Sequence, residues 1–228
     1  MEKLIYTVWR PAHISVADWR AAILGVAASG LPKAGARDVQ FSLVDEDVDA
    51  GKGLHLVTRD VPDGVITFWM DSAYYRQASE ALIHENCRSI AGYLVAESRI
   101  KDEREDATGA RADGFNLIGF LRRPPRLTRE EWLKIWLGSH TAVAVETQPT
   151  FRYVQNLVVR PLTENAPELD ALVEEGFPLG ALENPAVFYD AVGDEKKHAE
   201  NHKRMMESCQ RFIDFDRIDS LPMSRYRV

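Results

Sequence analysis

LIYTVWRPAHISVADW (residues 4–19) has a counterpart in LIGFLRRPPRLTREEW (117–132), and this pairing decides how the whole chain is read. Both stretches open Leu-Ile. Both carry Arg-Pro at the same place, Arg10-Pro11 and Arg123-Pro124. Each then offers a hydroxyl residue, Ser15 or Thr128, three positions before an acid, Asp18 or Glu131, and a tryptophan follows, Trp19 or Trp132. The hydroxyl and the acid form the pattern of a capping box, which satisfies free backbone N–H groups at a helix start. Each copy is therefore expected to open with a short apolar strand (3–9 and 116–122) that leads into a capped helix.

The correspondence resumes further on. RDVQFSLV (37–44) lies against RYVQNLVV (152–159), ITFWMD (66–71) against AVFYDA (186–191), and HENCRSIAGYLVAESRI (84–100) against HKRMMESCQRFIDFDRI (202–218). These matches place second strands at 39–44 and 152–159, and third strands at 65–70 and 186–190. Second helices follow at about 72–93 and 194–211, and a last strand closes each copy. Long insertions, 45–64 and 160–185, have the length of pocket walls or lids. The order strand–helix–strand–strand–helix–strand is the ferredoxin-like βαββαβ unit. The expected fold is α+β, with one half at 1–100 and another at 115–228. The charged, small-residue stretch 101–114 is expected to be a linker. A single such sheet leaves one face bare, and two copies in one chain bury it between them.

Composition narrows the function. The chain has 228 residues, 45% hydrophobic and 28% charged, enough for a buried core. Its net charge of −7 argues against a nucleic-acid or acidic-membrane partner. No run is long enough for a transmembrane helix, and the N-terminus lacks a signal-peptide layout, so a cytoplasmic protein is expected. Cys87 and Cys209 lie outside any metal-ligand spacing and read as reduced, buried thiols in helical stretches. There is no Gly-x-Ser-x-Gly elbow and no glycine-rich phosphate loop.

LTREEWLKIWLGSH (127–140), followed by RYVQN (152–156), resembles the first half of an EthD-type domain. DGVITFWMDS (63–72) resembles that family's third-strand motif. The resemblance spans both copies, though copy one lacks the histidine and copy two lacks the Asp-Gly. It implies a dimeric α/β-barrel, here made within one chain. The family and its structural relatives include dehydratases and cyclases of aromatic polyketides, lactone isomerases, cofactor-free monooxygenases and haem proteins. Kinship at the level of fold does not select among these reactions.

His140 is the leading candidate. At about 100° per residue it falls about 80° from Trp132, on the flank of a stripe that holds Trp136, and its match in copy one is Ala27. It is read as a general acid/base, against the alternative of a buried structural histidine. On the strand 152–159, Tyr153 and Gln155 face one way and Arg152 and Asn156 the other, and periodicity leaves open which pair meets His140. Tyr153 is preferred as a catalytic partner, with Trp136 and Asn156 as substrate-binding residues. His198 and His202 share a helix face at i, i+4 spacing, but Ala199 stands where a zincin has glutamate, so no metal is expected. Glu174–Glu175 reads as solvated surface.

The expected function is cofactor-independent proton transfer by a lyase or isomerase: dehydration, isomerisation or cyclisation of a small apolar, oxygenated or aromatic molecule. The alternatives are a non-catalytic ligand-binding or stress-related assembly protein, a cofactor-free monooxygenase, or a haem protein of the same superfamily. Homodimer formation stays open.

Overall fold

A computed structural model describes residues 1–103 and 109–228. Eight antiparallel strands close into a barrel: β1 (Glu2–Trp9), β2 (Arg37–Leu43), β3 (Gly64–Met70), β4 (Ser89–Asp102), β5 (Phe115–Leu121), β6 (Arg152–Pro161), β7 (Ala171–Phe177) and β8 (Asp219–Arg227). Around the barrel the order is β4-β1-β3-β2, then β8-β5-β7-β6, and back to β4. The two sets of four therefore share one internal order. Seams between β2 and β8 and between β4 and β6 join them edge to edge, so among the described residues no strand edge is left open.

Alternation along the strands builds three layers. Ile5, Tyr93, Ile118, Phe120, Leu172, Leu221 and Met223 point inward and form one cluster from both halves. Leu4, Tyr6 and Val8 point outward beneath α1 (Val16–Gly25), α2 (Leu31–Lys33) and α3 (Gln77–His84). Leu121, Tyr153 and Val173 point outward on the other side, beneath α4 (Arg129–Ile135), α5 (Thr141–Thr147) and α7 (Glu195–Phe212). Burying Trp132 and Trp136 there stabilises the α4 side by roughly 1.5–3 kcal/mol or more each.

The caps form where the hydroxyl residues predict them. Ser15 accepts from the Asp18 N–H, and Thr128 makes the full reciprocal box with Glu131. Both first helices then widen into a π-helical turn, Val26–Gly30 after α1 and Trp136–His140 after α4.

Four expectations need correction. The third strand of the second half is not 186–190 but β7, at 171–177. Pro185 sits in the first turn of a short helix, α6 (Pro185–Phe188), and the Asn184 side chain caps the Ala186 N–H, so PAVF coils. What reads as one insertion over 160–185 therefore contains a strand. The helix expected over 72–93 ends at His84. Cys87 lies in the turn that follows, and Ser89 already begins β4. The expected linker 101–114 is partly sheet: β4 runs on to Asp102, and Gly109 and Ala112 donate to carbonyls of β8. Its part 104–108 lies outside the described residues. Among the described residues no helix is long and apolar enough to cross a membrane.

Candidate functional site

A cavity of about 190 Å³ lies between the outer face of β5–β7 and the helices α6 and α7. Its walls include Trp136, His140, Tyr153, Glu175, Tyr189 and Cys209. It falls below the ~300–1,000 Å³ usual for ligand pockets, which suits a small ligand.

The π turn carries His140 to this wall. The Thr141 N–H bonds to the Trp136 carbonyl, five residues back, and the Thr141 hydroxyl bonds there as well. A turn this wide re-aims the side chains it contains, and such turns are common at functional sites. His140 is only 6% exposed. Its Nδ1 lies 2.9 Å from Ser208 Oγ, and its ring packs 4.5 Å from that of Phe212. Burial, helped by the Arg211 guanidinium, lowers its pKa to about 4, so the ring is neutral at pH 7.

Tyr153 and Gln155 are the pair on the helix side of β6. Gln155 Nε2 donates to Thr141 Oγ1 at 2.9 Å and ties the strand to the π turn. Tyr153 is 1% exposed, and burial followed by the nearby Glu175 carboxylate raises its phenol well above the ordinary range.

Asn156 faces the opposite way, into the barrel, and is not brought to the cavity. It accepts from Lys3 Nζ at 2.8 Å and donates to Glu174 at 3.0 Å. Glu174 also meets Lys3 at 3.2 Å and Arg152 at 3.4 Å. Burial alone would raise its carboxyl, but those two cations hold it below the usual carboxylate range.

Reading Glu174–Glu175 as solvated surface is thus incorrect. Strand alternation sends Glu174 into the ionic interior and Glu175 outward to the cavity, directly across from Tyr153 in the β6–β7 register. Burial raises the Glu175 carboxyl to about 7. This is the group that sequence reasoning missed. The signal that could have found it is the alternation of Ala171, Val173 and Phe177 on the same face as Glu175.

His198 and His202 lie in a separate groove, their rings 6.4 Å apart. Among the described residues, no three His, Cys, Asp or Glu side chains cluster so as to hold a metal ion. Cys209 lines the cavity, but burial pushes its thiol up to about 12, so it is not a nucleophile at neutral pH. The cavity beside His140, about 190 Å³, is far smaller than a tetrapyrrole, so it does not fit a haem.

Neither protein-family models nor curated proteins match this sequence. Solved structures do match in shape. An anthrone oxidase-like protein superposes with a TM-score of 0.57 at 8% identity, over 99% of this chain and 92% of its own. A protein from Fusobacterium nucleatum named as a monooxygenase superposes with a TM-score of 0.51 at 10% identity, over 99% and 91%. The chain has the fold of the dimeric α/β-barrels. At these identities the likeness concerns fold alone.

Proposed function

We propose that this chain is a small-molecule enzyme, made by duplication of an EthD-like, ferredoxin-like half, with one active site in the His140–Glu175 cavity. The observation that carries this reading is geometric: Glu175, His140 and Tyr153 line one largely apolar cavity, with Glu175 directly across the sheet from Tyr153. Burial raises the carboxyl to about 7 and keeps the imidazole neutral. A carboxylate with a pKa near the working pH is matched to proton transfer.

The chemistry is proton abstraction beside a carbonyl or on a hydroxylated ring. Ionised Glu175 takes the proton from carbon, and charge develops on the substrate oxygen. The Tyr153 phenol, whose raised pKa keeps it protonated, is a donor for that oxygen. In the tautomer in which Ser208 donates to Nδ1, the other nitrogen of His140 carries the N–H and is a second neutral donor. His140 is then less a base than a donor, because a pKa of about 4 makes it a weak acceptor of protons. Trp136 packs the wall against which a flat substrate rests. Glu175 returns its proton to another atom in an isomerisation, or to a departing oxygen in a dehydration. No cofactor is needed for either. A second reading shares the first step: the proteins similar in fold are named for oxidation or monooxygenation, and the same carbanion can react with dioxygen.

The test is exchange of carbon-bound hydrogen for deuterium in a panel of aryl ketones and hydroxyarenes, followed by NMR. Wild type should accelerate exchange in at least one compound. Glu175→Gln should slow it about 10²–10⁴-fold and His140→Ala by a smaller factor, with both variants folded. Exchange at the wild-type rate in Glu175→Gln, or none with any compound, would overturn the proposal.

A further inference from the structure

Next to the cavity lies a larger groove, of about 410 Å³, lined by Leu54, Leu182 and Pro185, by Phe188 and Tyr189, and by His198 and His202. Phe188 and Tyr189 also line the inner cavity, so these two rings form the partition between the spaces. The Tyr189 ring meets both imidazoles edge-on, 5.5 Å from His198 and 5.2 Å from His202. The Tyr189 carbonyl is pinned by Asn201 Nδ2 at 2.8 Å, which fixes the partition to α7.

His198 Nε2 is shielded from solvent and has no hydrogen-bond partner among the described residues. A polar nitrogen buried in this way costs stability unless something arrives to satisfy it. The other groove walls are apolar or aromatic, apart from the His202 imidazole and the Glu183 carboxylate. A ligand that suits them is a flat ring. One that also suits His198 brings an oxygen able both to donate and to accept, because the imidazole tautomer is free to adapt. A phenolic hydroxyl meets both demands.

We propose that this groove is a second binding site, for a small hydroxylated arene whose hydroxyl bonds to His198 Nε2 and whose ring packs on Phe188 and Tyr189. The proposal stands apart from the proton-transfer reading, since it needs neither Glu175 nor turnover.

The experiment is calorimetric titration of the full chain with 1-naphthol. Gly53 lies on the groove wall, and a Cβ there would meet nothing within 4 Å, so Gly53→Trp adds a bulky ring at that wall from a separate element. Gly53→Trp and His198→Leu should each weaken binding about tenfold or more, the worth of one good hydrogen bond or its equivalent in contact. His198→Gln, which keeps a polar nitrogen, should stay within about threefold of wild type. Glu175→Phe, which fills the inner cavity, should leave groove binding intact. Unchanged affinity in Gly53→Trp, loss confined to Glu175→Phe, or no binding by wild type would each overturn the proposal. If His198→Leu does not fold, Gly53→Trp decides.

Discussion

The two halves of the barrel meet their helices in different ways. The shared opening stretch sets Leu4 against Leu117 and Tyr6 against Gly119. Across the sheet, Leu4 pairs with Phe68 where Leu117 pairs with Glu175. In the first half Tyr6 and Phe68 stack, with ring centroids 5.7 Å apart, and Trp19 meets Phe41 edge-on beside them. All four rings are at most 1% exposed. In the second half no ring stands at either the Tyr6 or the Phe68 position. Gly119 leaves space, although a Cβ there would come within 2.8 Å of Val173, and Glu175 supplies a carboxyl. His140 borders the gap, at the position matched by fully buried Ala27. One frame thus carries a packed layer on one side and a cavity with titratable walls on the other. The cavity lies where the corresponding positions of the other layer hold two rings.

The contrast can be broken most forcefully at Phe68. Phe68→Glu writes the second half's residue into the packed layer, among buried rings and aliphatic side chains. It should cost about 3–5 kcal/mol, enough to unfold a marginal domain, as measured by urea denaturation. A loss below about 1 kcal/mol would mean that the two layers are not physically distinct.

Ala27→His is the gentler version. It forces an imidazole into a site that is 0% exposed, and overpacking of this kind costs about 1–3 kcal/mol. A melting temperature equal to that of wild type would reveal unfilled space in the first half.

The contrast also shows in pH dependence. Folded Glu175 keeps its proton up to about pH 7, whereas in the unfolded chain a glutamate ionises near 4.5. Its contribution to stability is full below 4.5 and is lost as the pH rises through 7. His140 acts in the opposite sense. It is lowered to about 4 from 6.5, so its contribution is present above 6.5 and is lost as the pH falls toward 4. Glu175→Gln should therefore gain on wild type between pH 5 and pH 8, and should leave the His140-driven rise between pH 4 and 6.5 exposed. Parallel stability curves for the two proteins across that range would place the Glu175 pKa in the ordinary range.

Much of this molecule was legible because its signals are local. Ser15 and Thr128 announce helix starts through bonds made within three residues. The alternation of 152–159 separates Tyr153 from Asn156 without any knowledge of the partner strand. The short matches between the halves misled where a single residue changes the local physics. Pro185 and Asn184 turn an apolar run that resembles a strand into a helical turn, and the true strand, β7, hides behind two adjacent glutamates.

What the amino-acid order determined by itself is therefore the frame: capped first helices, most of the strands, the likeness of the halves and the histidine on the flank of a tryptophan stripe. The tertiary structure alone decided the site. Glu174 is an interior ion because Lys3, 171 positions away, reaches it, and Glu175 is a cavity wall because β7 lies between β5 and β6. A cavity is defined by side chains that are missing from several strands at once, and a carboxyl's acidity depends on everything packed around it. Neither property belongs to any one stretch of sequence.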